Sequence, residues 1–202
     1  MECFYCLRGY SSRCVKSTLF GSESLDGAQA EYVRVPLADG TVVKAPDALS
    51  DDALILMADI WPTGFFGATN TVKTLDADGI AFSDATVVVI GCGPVGLCAV
   101  IAALEYKPKR VFAVDGEESR LSVAESLGAV PLNFKTNQAG MKRAIMEATE
   151  GRGADAILEA VGLSPALRTA FDLVRPWGVI SSIGVHNAEV RLRLCTGIGM
   201  CC

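Results

Sequence analysis

The residues whose types and spacing point most directly to chemistry are Gly91, Gly93 and Gly96, which form the pattern G-x-G-x-x-G. They follow an apolar, β-branched run, Thr86 to Ile90, that is typical of a parallel strand buried on both faces. Where such a strand turns into a helix, the first glycine permits the tight turn and the second lets the backbone approach a pyrophosphate. The third lets the helix pack closely on the strand. The remaining residues of this predicted phosphate-binding turn are Pro94 and Val95.

A second apolar run, Val111 to Val114, ends in Asp115, nineteen residues after Gly96. A carboxylate at this position can accept hydrogen bonds from both ribose hydroxyls of NAD, and it would repel the 2′-phosphate of NADP. With strand, helix, second strand and terminal acid in register, the sequence predicts an NAD-binding site.

Two alternatives stay open at this point. A glycine-rich turn of the same fold can exist without binding any nucleotide. The charge-free stretch 85–104 is also long enough to span a bilayer. Three glycines and Pro94 interrupt it, however, and charged residues resume at Glu105, so the pattern favours a buried strand and helix.

The composition of the 202 residues, with 50% hydrophobic and 20% charged side chains and a mean hydropathy of +0.36, fits a well-buried α/β protein. The net charge is −5 and no lysine-arginine run occurs, so a nucleic-acid partner has no electrostatic support. The first residues lack the features of a signal peptide, and eight cysteines without an export signal indicate a reducing compartment. We therefore expect a cytoplasmic location.

Strand and helix patterns alternate from residue 86 onward, which predicts a doubly wound parallel sheet with helices on both faces. A full dinucleotide-binding (Rossmann) fold has six strands, of which five are visible, and the tail 191–202 offers no clear sixth. The expected strands are 86–91, 110–115, 130–133, 155–160 and 178–184, and the expected helices are 94–106, 117–127, 138–150 and 164–174.

The region before residue 80 has a different pattern. We expect strands at 28–36 and 41–46 with a turn at Asp39-Gly40 between them. Ser50 is the expected N-cap of a helix that continues through Met57, and another helix is expected from about Thr63.

Cys3, Cys6 and Cys14 have the spacing C-x2-C-x7-C. A structural zinc ion needs four tetrahedral ligands, commonly thiolates, and this neighbourhood offers three. From these residues alone, a zinc site and three free thiols in a loop are equally good interpretations.

The glycine turn Gly-Cys-Gly-Pro-Val-Gly, together with this cysteine loop, resembles the zinc-dependent medium-chain alcohol dehydrogenases. The segments LDGAQAEYVRVPLAD (25–39) and ADIWPTGFFGA (58–68) resemble the formaldehyde- and threonine-dehydrogenase-like branch of that family. The resemblance implies that Cys3, Cys6 and Cys14 match the second, third and fourth ligands of its structural zinc, the first falling one residue before Met1.

Three segments follow from the resemblance. Residues 1–79 are expected to be a partial GroES-like catalytic domain with the structural-zinc lobe, residues 80–190 the NAD-binding Rossmann domain, and residues 191–202 an atypical tail. Both ends depart from the family pattern, so we expect a truncated or alternatively spliced product with incomplete structural and catalytic zinc sites.

The family's catalytic zinc has three protein ligands, and the resemblance assigns the third to Asp59 and places Thr63 near the nicotinamide. Taken alone, Asp59 would be an ordinary acid at a helix end. The other two ligands come from an N-terminal region that this chain does not contain. One carboxylate cannot hold zinc in an active geometry, so we expect the chain not to be competent alone.

The resemblance also implies that Arg120 reaches the adenosine ribose and that two strand ends, Val161-Gly162 and Gly184-Val185, line the cofactor. His186 is the only histidine, and a catalytic role for it is supported by nothing except its scarcity. A zinc-free quinone-reductase-like protein is disfavoured, because that group lacks the cysteine lobe and its preference for NADP conflicts with Asp115.

The expected activity is the NAD- and zinc-dependent oxidation of a small alcohol or hydrated aldehyde. The alternative is a non-catalytic NAD-binding fragment or an inactive partner of full-length subunits. Self-association through the coenzyme domain is possible, whereas a nucleic-acid or membrane partner is not expected.

Overall fold

The computed structural model describes residues 1–189, which form two compact units, one spanning Met1–Ser50 and the other beginning at Asp51. The predicted domain boundary near residue 80 stays a prediction, and the predicted tail 191–202 lies outside the described residues. Among residues 1–189, every helix is too short or too polar to cross a membrane.

The second unit is built on five parallel strands in the spatial order β3-β2-β1-β4-β5. This is the doubly wound sheet that the sequence predicts, and the sequence-based strand and helix limits agree with the structure to within a few residues. The strands are β1 Thr86–Ile90, β2 Arg110–Asp115, β3 Val130–Asn133, β4 Ala154–Glu159 and β5 Val174–Ser182. The α-helices of this unit are α2 Asp51–Leu56, α3 Ile60–Ala77, α4 Pro94–Glu105, α5 Glu118–Ser126, α6 Phe134–Ala148 and α7 Ser164–Leu173, and a 3-10 helix, Phe82–Asp84, precedes β1.

The central strand β1 shows why the sheet is covered on both faces. Its five residues are all buried, and the side chains of the last four alternate between two apolar clusters. Val87 and Val89 join α3, α4 and α5 on one face, whereas Val88 and Ile90 join α6 and α7 on the other. A continuous β-branched run is what a strand with two buried faces requires.

The chain order reverses between β1 and β4. Strands β2 and β3 extend the sheet on one side of β1, and β4 and β5 extend it on the other. In open parallel sheets, a crevice forms outside the carboxyl ends of the strands at this reversal, and ligands bind there. The fold therefore brings the glycine turn after β1 and the strand end after β4 to the same edge.

The first unit contains two short 3-10 helices, Cys6–Arg8 and Ser11–Arg13, and the helical turn α1 Ala38–Thr41. The strands predicted at 28–36 and 41–46 are wrong for the described structure, which has no strand there. Their apolar side chains, such as those of Tyr32 and Val43, are exposed. A strand pair without a further sheet or helix to cover one face is not stable in water.

An exposed tryptophan occupies a strained position at the start of β5. The pairing of β4 with β5 shifts from Ala154 opposite Val174 to Ala156 opposite Val179, so the intervening residues of β5 bulge outward. Within this bulge Trp177 has φ +59° and is 87% exposed. A bulky residue in the left-handed region costs about 1 kcal/mol or more.

We expect Trp177→Gly to stabilise the protein by about 1 kcal/mol, because glycine adopts a positive φ without strain. Thermal unfolding would show a rise in Tm of about 2–4 °C. Trp177→Ala is the matched control, since it removes the ring and keeps the strain. An equal rise in Tm for both variants would show that the exposed ring, and not the backbone, sets the cost.

Candidate nucleotide-binding site and cysteine cluster

The glycine turn has the geometry that its spacing predicts. Gly91 has φ +90°, and its N–H donates to the Val114 carbonyl oxygen at 2.8 Å, which ties the turn to β2. A Cβ atom on Gly96 would overlap the carbonyl oxygen of Gly91, so helix α4 lies directly against the turn. A Cβ on Gly93 would meet nothing within 4 Å. The turn is thus closed on the helix side and open at Gly93.

Helix α4 begins at this opening. Gly93 is its N-cap, Pro94 is its first residue, and no side chain caps it. The Leu97 N–H donates to the Gly93 carbonyl oxygen at 2.9 Å. The N–H groups that precede it, on Val95 and Gly96, have no carbonyl acceptor inside the helix, and the helix dipole makes this end attractive to an anion.

A cavity of about 660 Å³ lies over the turn. Five of the residues predicted to bind the cofactor line it, namely Gly91, Gly93, Asp115, Arg120 and Val161. This volume can hold at least one of the two mononucleotide halves of a dinucleotide. Sequence reasoning missed Glu117, Lys135, Phe134 and Leu163, which also line it.

Asp115 is buried at the carboxyl end of β2, and its carboxylate accepts hydrogen bonds from three backbone N–H groups. Oδ2 accepts the Cys92 N–H at 2.7 Å, and Oδ1 accepts the N–H groups of Gly116 and Glu117 at 2.7 and 2.9 Å. The Arg120 Nη1 atom lies 3.8 Å from Oδ2. A carboxylate has about four acceptor positions, so it can hold this loop and still accept a ribose hydroxyl.

A second ion pair borders the same cavity. Lys135 Nζ lies 2.5 Å from Glu117 Oε1 and lowers the pKa of the Glu117 carboxyl through its hydrogen bond and its charge. A lysine after the third strand carries no spacing signal, which is why the sequence did not indicate it. The pair places one positive and one negative side chain on the cavity wall beside Asp115.

Cys92 lies between the first two glycines, and its side chain is fully buried. Burial, followed by the charge of Asp115, raises the pKa of its thiol to about 12. At neutral pH the thiol is protonated, and the thiolate is the reactive form. Cys92 therefore fills the turn as a small buried side chain.

Across the chain reversal, the carboxyl end of β4 carries a second acid, Glu159, whose side chain is fully buried. It lies among the predicted cofactor-lining segments. Its carboxylate contacts backbone of Val161 and Gly162, and it also contacts Ser182 and His186. The only sequence signal for it is that, like Asp115, it is an acid that ends a buried strand.

Asp59 and Thr63 come together at the start of α3. Asp59 is the exposed N-cap residue, and the Thr63 hydroxyl donates to its Oδ1 atom at 2.7 Å. Within residues 1–189, no group of three potential metal ligands includes Asp59. The described residues thus do not fit a catalytic zinc ion, and the assignment of Asp59 as a ligand stays a prediction.

The thiols of Cys3, Cys6 and Cys14 do converge, with all three sulfur atoms within 4.8 Å of one another. Zinc-thiolate bonds of about 2.3 Å require such spacing in a tetrahedral site. Backbone N–H groups of Cys6 and Val15 lower the pKa of Cys3 to about 6, whereas burial and the neighbouring thiols raise that of Cys6 to about 11. This donor set fits three of the four ligands of a structural zinc.

We expect the triple variant Cys3→Ser, Cys6→Ser, Cys14→Ser to bind about one zinc ion fewer per chain than the native sequence. Competition against a chromophoric chelator measures this stoichiometry. The matched control replaces Cys195, Cys201 and Cys202 by serine, because these thiols could also take up metal. Equal zinc uptake by the triple variant and the native chain would show that the cluster holds free thiols.

A comparison with protein-family models agrees with the fold of the second unit. Residues 94–196 match the model of the zinc-binding dehydrogenases. This chain therefore belongs to the zinc-binding dehydrogenase family.

The similar proteins carry names of the same class. The chain is 62% identical over 189 residues to zinc-type alcohol dehydrogenase B of Aspergillus flavus, covering 94% of this chain and 44% of that protein. It is 63% identical over 189 residues to the medium chain reductase/dehydrogenase ucsI of Acremonium sp, covering 94% of this chain and 64% of the relative. The solved alcohol dehydrogenase TADH from Thermus sp. ATN1 superposes with a TM-score of 0.81 at 34% identity, covering 97% of this chain and 55% of its own. The chain thus spans about half the length of the relatives it matches.

Proposed function

We propose that this chain supplies the NAD-binding part of an NAD-dependent zinc alcohol dehydrogenase that oxidises a small alcohol or a hydrated aldehyde. The observation that carries the proposal is the open space over Gly93 at the uncapped start of α4, with Asp115 at the neighbouring strand end. The names of the relatives in the same family support the alcohol as the substrate class.

Each part of the cofactor has residues that could hold it. The pyrophosphate would bind the N–H groups at the start of α4, beside the turn that Gly91 and Gly93 form. The adenosine ribose would bind beside Asp115 and Arg120. The nicotinamide half would lie across the chain reversal, toward Val161 and the Gly184-Val185 segment. Bound there, NAD would accept a hydride from the substrate.

Zinc would have a structural role at the cysteine cluster. At the start of α3, Asp59 holds the Thr63 hydroxyl in place. Because the described residues give Asp59 no companion ligands, the isolated chain would bind NAD without oxidising alcohols.

A chimera tests the proposed activity. In it, residues 80–189 of this chain replace the aligned segment of the Aspergillus flavus relative, and the identity of 62% over the 189 aligned residues favours correct folding. We expect the chimera to oxidise small alcohols with NAD in preference to NADP, and the isolated chain to show no turnover. A folded chimera without NAD-linked turnover would contradict the proposal, and zinc-dependent turnover by the isolated chain would contradict its non-competence.

A second candidate function is a non-catalytic NAD-binding subunit that pairs with full-length dehydrogenase chains. Strand β5 supports it, because within the described residues this edge strand is paired only with β4. Size-exclusion chromatography with a full-length relative tests the idea. Separate elution at micromolar concentration would rule it out.

A further inference from the structure

Glu159 is a fully buried carboxylate that the proposed cofactor contacts leave unused. Burying a charged group is costly unless hydrogen bonds replace its water, so its partners show what it holds. Oε1 accepts the N–H groups of Val161 and Gly162, both at 2.8 Å. Oε2 accepts the Ser182 hydroxyl at 2.8 Å and lies 3.2 Å from His186 Nε2. One side chain thus joins the segment after β4 to the end of β5.

The main chain of Glu159 makes the same connection. Its carbonyl oxygen accepts the N–H groups of Ile183 and Gly184 at 2.8 and 3.0 Å. Beyond this point the two segments touch directly, since a Cβ on Gly162 would overlap the Val185 carbonyl oxygen. A Cβ on Gly184 would in turn overlap the Gly162 nitrogen. Any shift of one segment therefore moves the other.

His186 closes this arrangement on the outer side. Its Nε2 atom lies 2.9 Å from the Ser182 hydroxyl oxygen as well as near Glu159. Its Nδ1 atom is buried and, among the described residues, has no hydrogen-bond partner. The sole histidine of the chain therefore packs over the Glu159 carboxylate.

The position of the arrangement indicates which part of a dinucleotide it serves. Doubly wound folds consist of two mononucleotide-binding halves on either side of the chain reversal. Asp115 marks the half of β1 and β2, where the adenosine ribose would bind. The segments that Glu159 fixes follow β4 and β5 in the other half of the sheet. The nicotinamide would bind in this half, because the adenosine ribose occupies the first.

We propose that Glu159 is a positioning residue that holds the backbone at 161–162 and 184–186 in place for the nicotinamide half of NAD. It acts through these segments without touching the cofactor, and the inference rests on the proposed binding of NAD. A role in stability alone would affect both halves of the site equally. A role in positioning affects ligands that carry a nicotinamide and spares those that do not.

Asp155 provides a matched control on the same strand. It is also buried, but it lies at the opposite end of β4, where it binds Arg175 Nε at 2.7 Å and the Thr86 N–H at 2.8 Å. Asp155→Asn perturbs a buried acid of the same strand and leaves the carboxyl edge of the sheet unchanged.

The experiment titrates the full chain and its variants with NADH and with ADP-ribose, which lacks the nicotinamide. We expect Glu159→Leu to raise the Kd for NADH about tenfold or more and to change that for ADP-ribose less than about twofold, because two buried N–H groups lose their acceptor. Glu159→Gln restores most of the NADH affinity, since its amide oxygen can accept those N–H groups. Asp155→Asn leaves the ratio of the two Kd values unchanged.

Equal changes for both ligands in Glu159→Leu, or no change in either, would overturn the positioning role. If Glu159→Leu does not fold, Ser182→Ala decides the question, because it removes a single hydrogen bond from Oε2. We then expect a loss of NADH affinity of about threefold with ADP-ribose unaffected, and parallel changes would contradict the proposal. Failure of the native chain to bind either ligand would instead overturn the proposed function.

Discussion

Gly93→Ala is expected to weaken NADH binding by about a hundredfold or more while leaving the Tm of the protein unchanged within about 1 °C. A Cβ at this position meets no protein atom, so the fold accommodates it. The methyl group would occupy the space through which a pyrophosphate reaches the start of α4. Losing two charge-assisted hydrogen bonds costs about 3 kcal/mol, which corresponds to a factor of about a hundred.

Gly96→Ala is the matched variant, in which the same methyl group is added three residues later. Here the Cβ overlaps the carbonyl oxygen of Gly91, so α4 must move away from the turn. Overpacking of this kind costs about 1–3 kcal/mol, and Tm is expected to fall by roughly 5–10 °C together with NADH binding. Thermal unfolding and NADH titration of both variants measure the two effects. Unchanged NADH affinity in Gly93→Ala would show that no phosphate passes over the turn.

Asp115→Asn is expected to shift the preference between NADH and NADPH at least tenfold toward NADPH. The asparagine oxygen can still accept the hydrogen bonds from the N–H groups of Gly116 and Glu117. Its NH₂ group then faces the N–H of Cys92, which loses its acceptor. The negative charge that would repel a 2′-phosphate is removed, and Arg120, 3.8 Å from the carboxylate, becomes available to bind it.

Parallel titrations with NADH and NADPH give the preference as a ratio of Kd values. Asp155→Asn is the control, because it neutralises a buried acid at the opposite end of β4 and leaves the cavity beside Asp115 unchanged. If the ratio of the Kd values for NADH and NADPH is unchanged in Asp115→Asn, the buried carboxylate only holds the loop and does not select between the two nucleotides.

The parts of the fold that were predictable from the sequence are those encoded by local pattern. All five residues of the run Thr86–Ile90 are β-branched. Such a run is typical of a parallel strand that is buried on both faces. The glycine spacing likewise reports backbone contacts within six residues, such as Gly96 against Gly91. Such short-range constraints leave few alternatives.

The prediction failed where structure depends on distant partners. Segments 28–36 and 41–46 look like strands, yet the described part of the first unit has no strand there, and side chains such as those of Tyr32 and Val43 are exposed. Glu159 was missed for a related reason. Its partners Ser182 and His186 lie 23 and 27 residues away, and only the parallel pairing of β4 with β5 brings them together.

Binding of NAD at the turn between β1 and α4 is tested most directly by a fluorescence titration of the purified chain with NADH. NADPH serves as the control ligand. We expect saturable binding of NADH and much weaker binding of NADPH, because Asp115 disfavours the 2′-phosphate. Absence of saturable binding for both nucleotides would contradict NAD binding by this chain, and the glycine turn would then serve only the packing of α4 on the sheet.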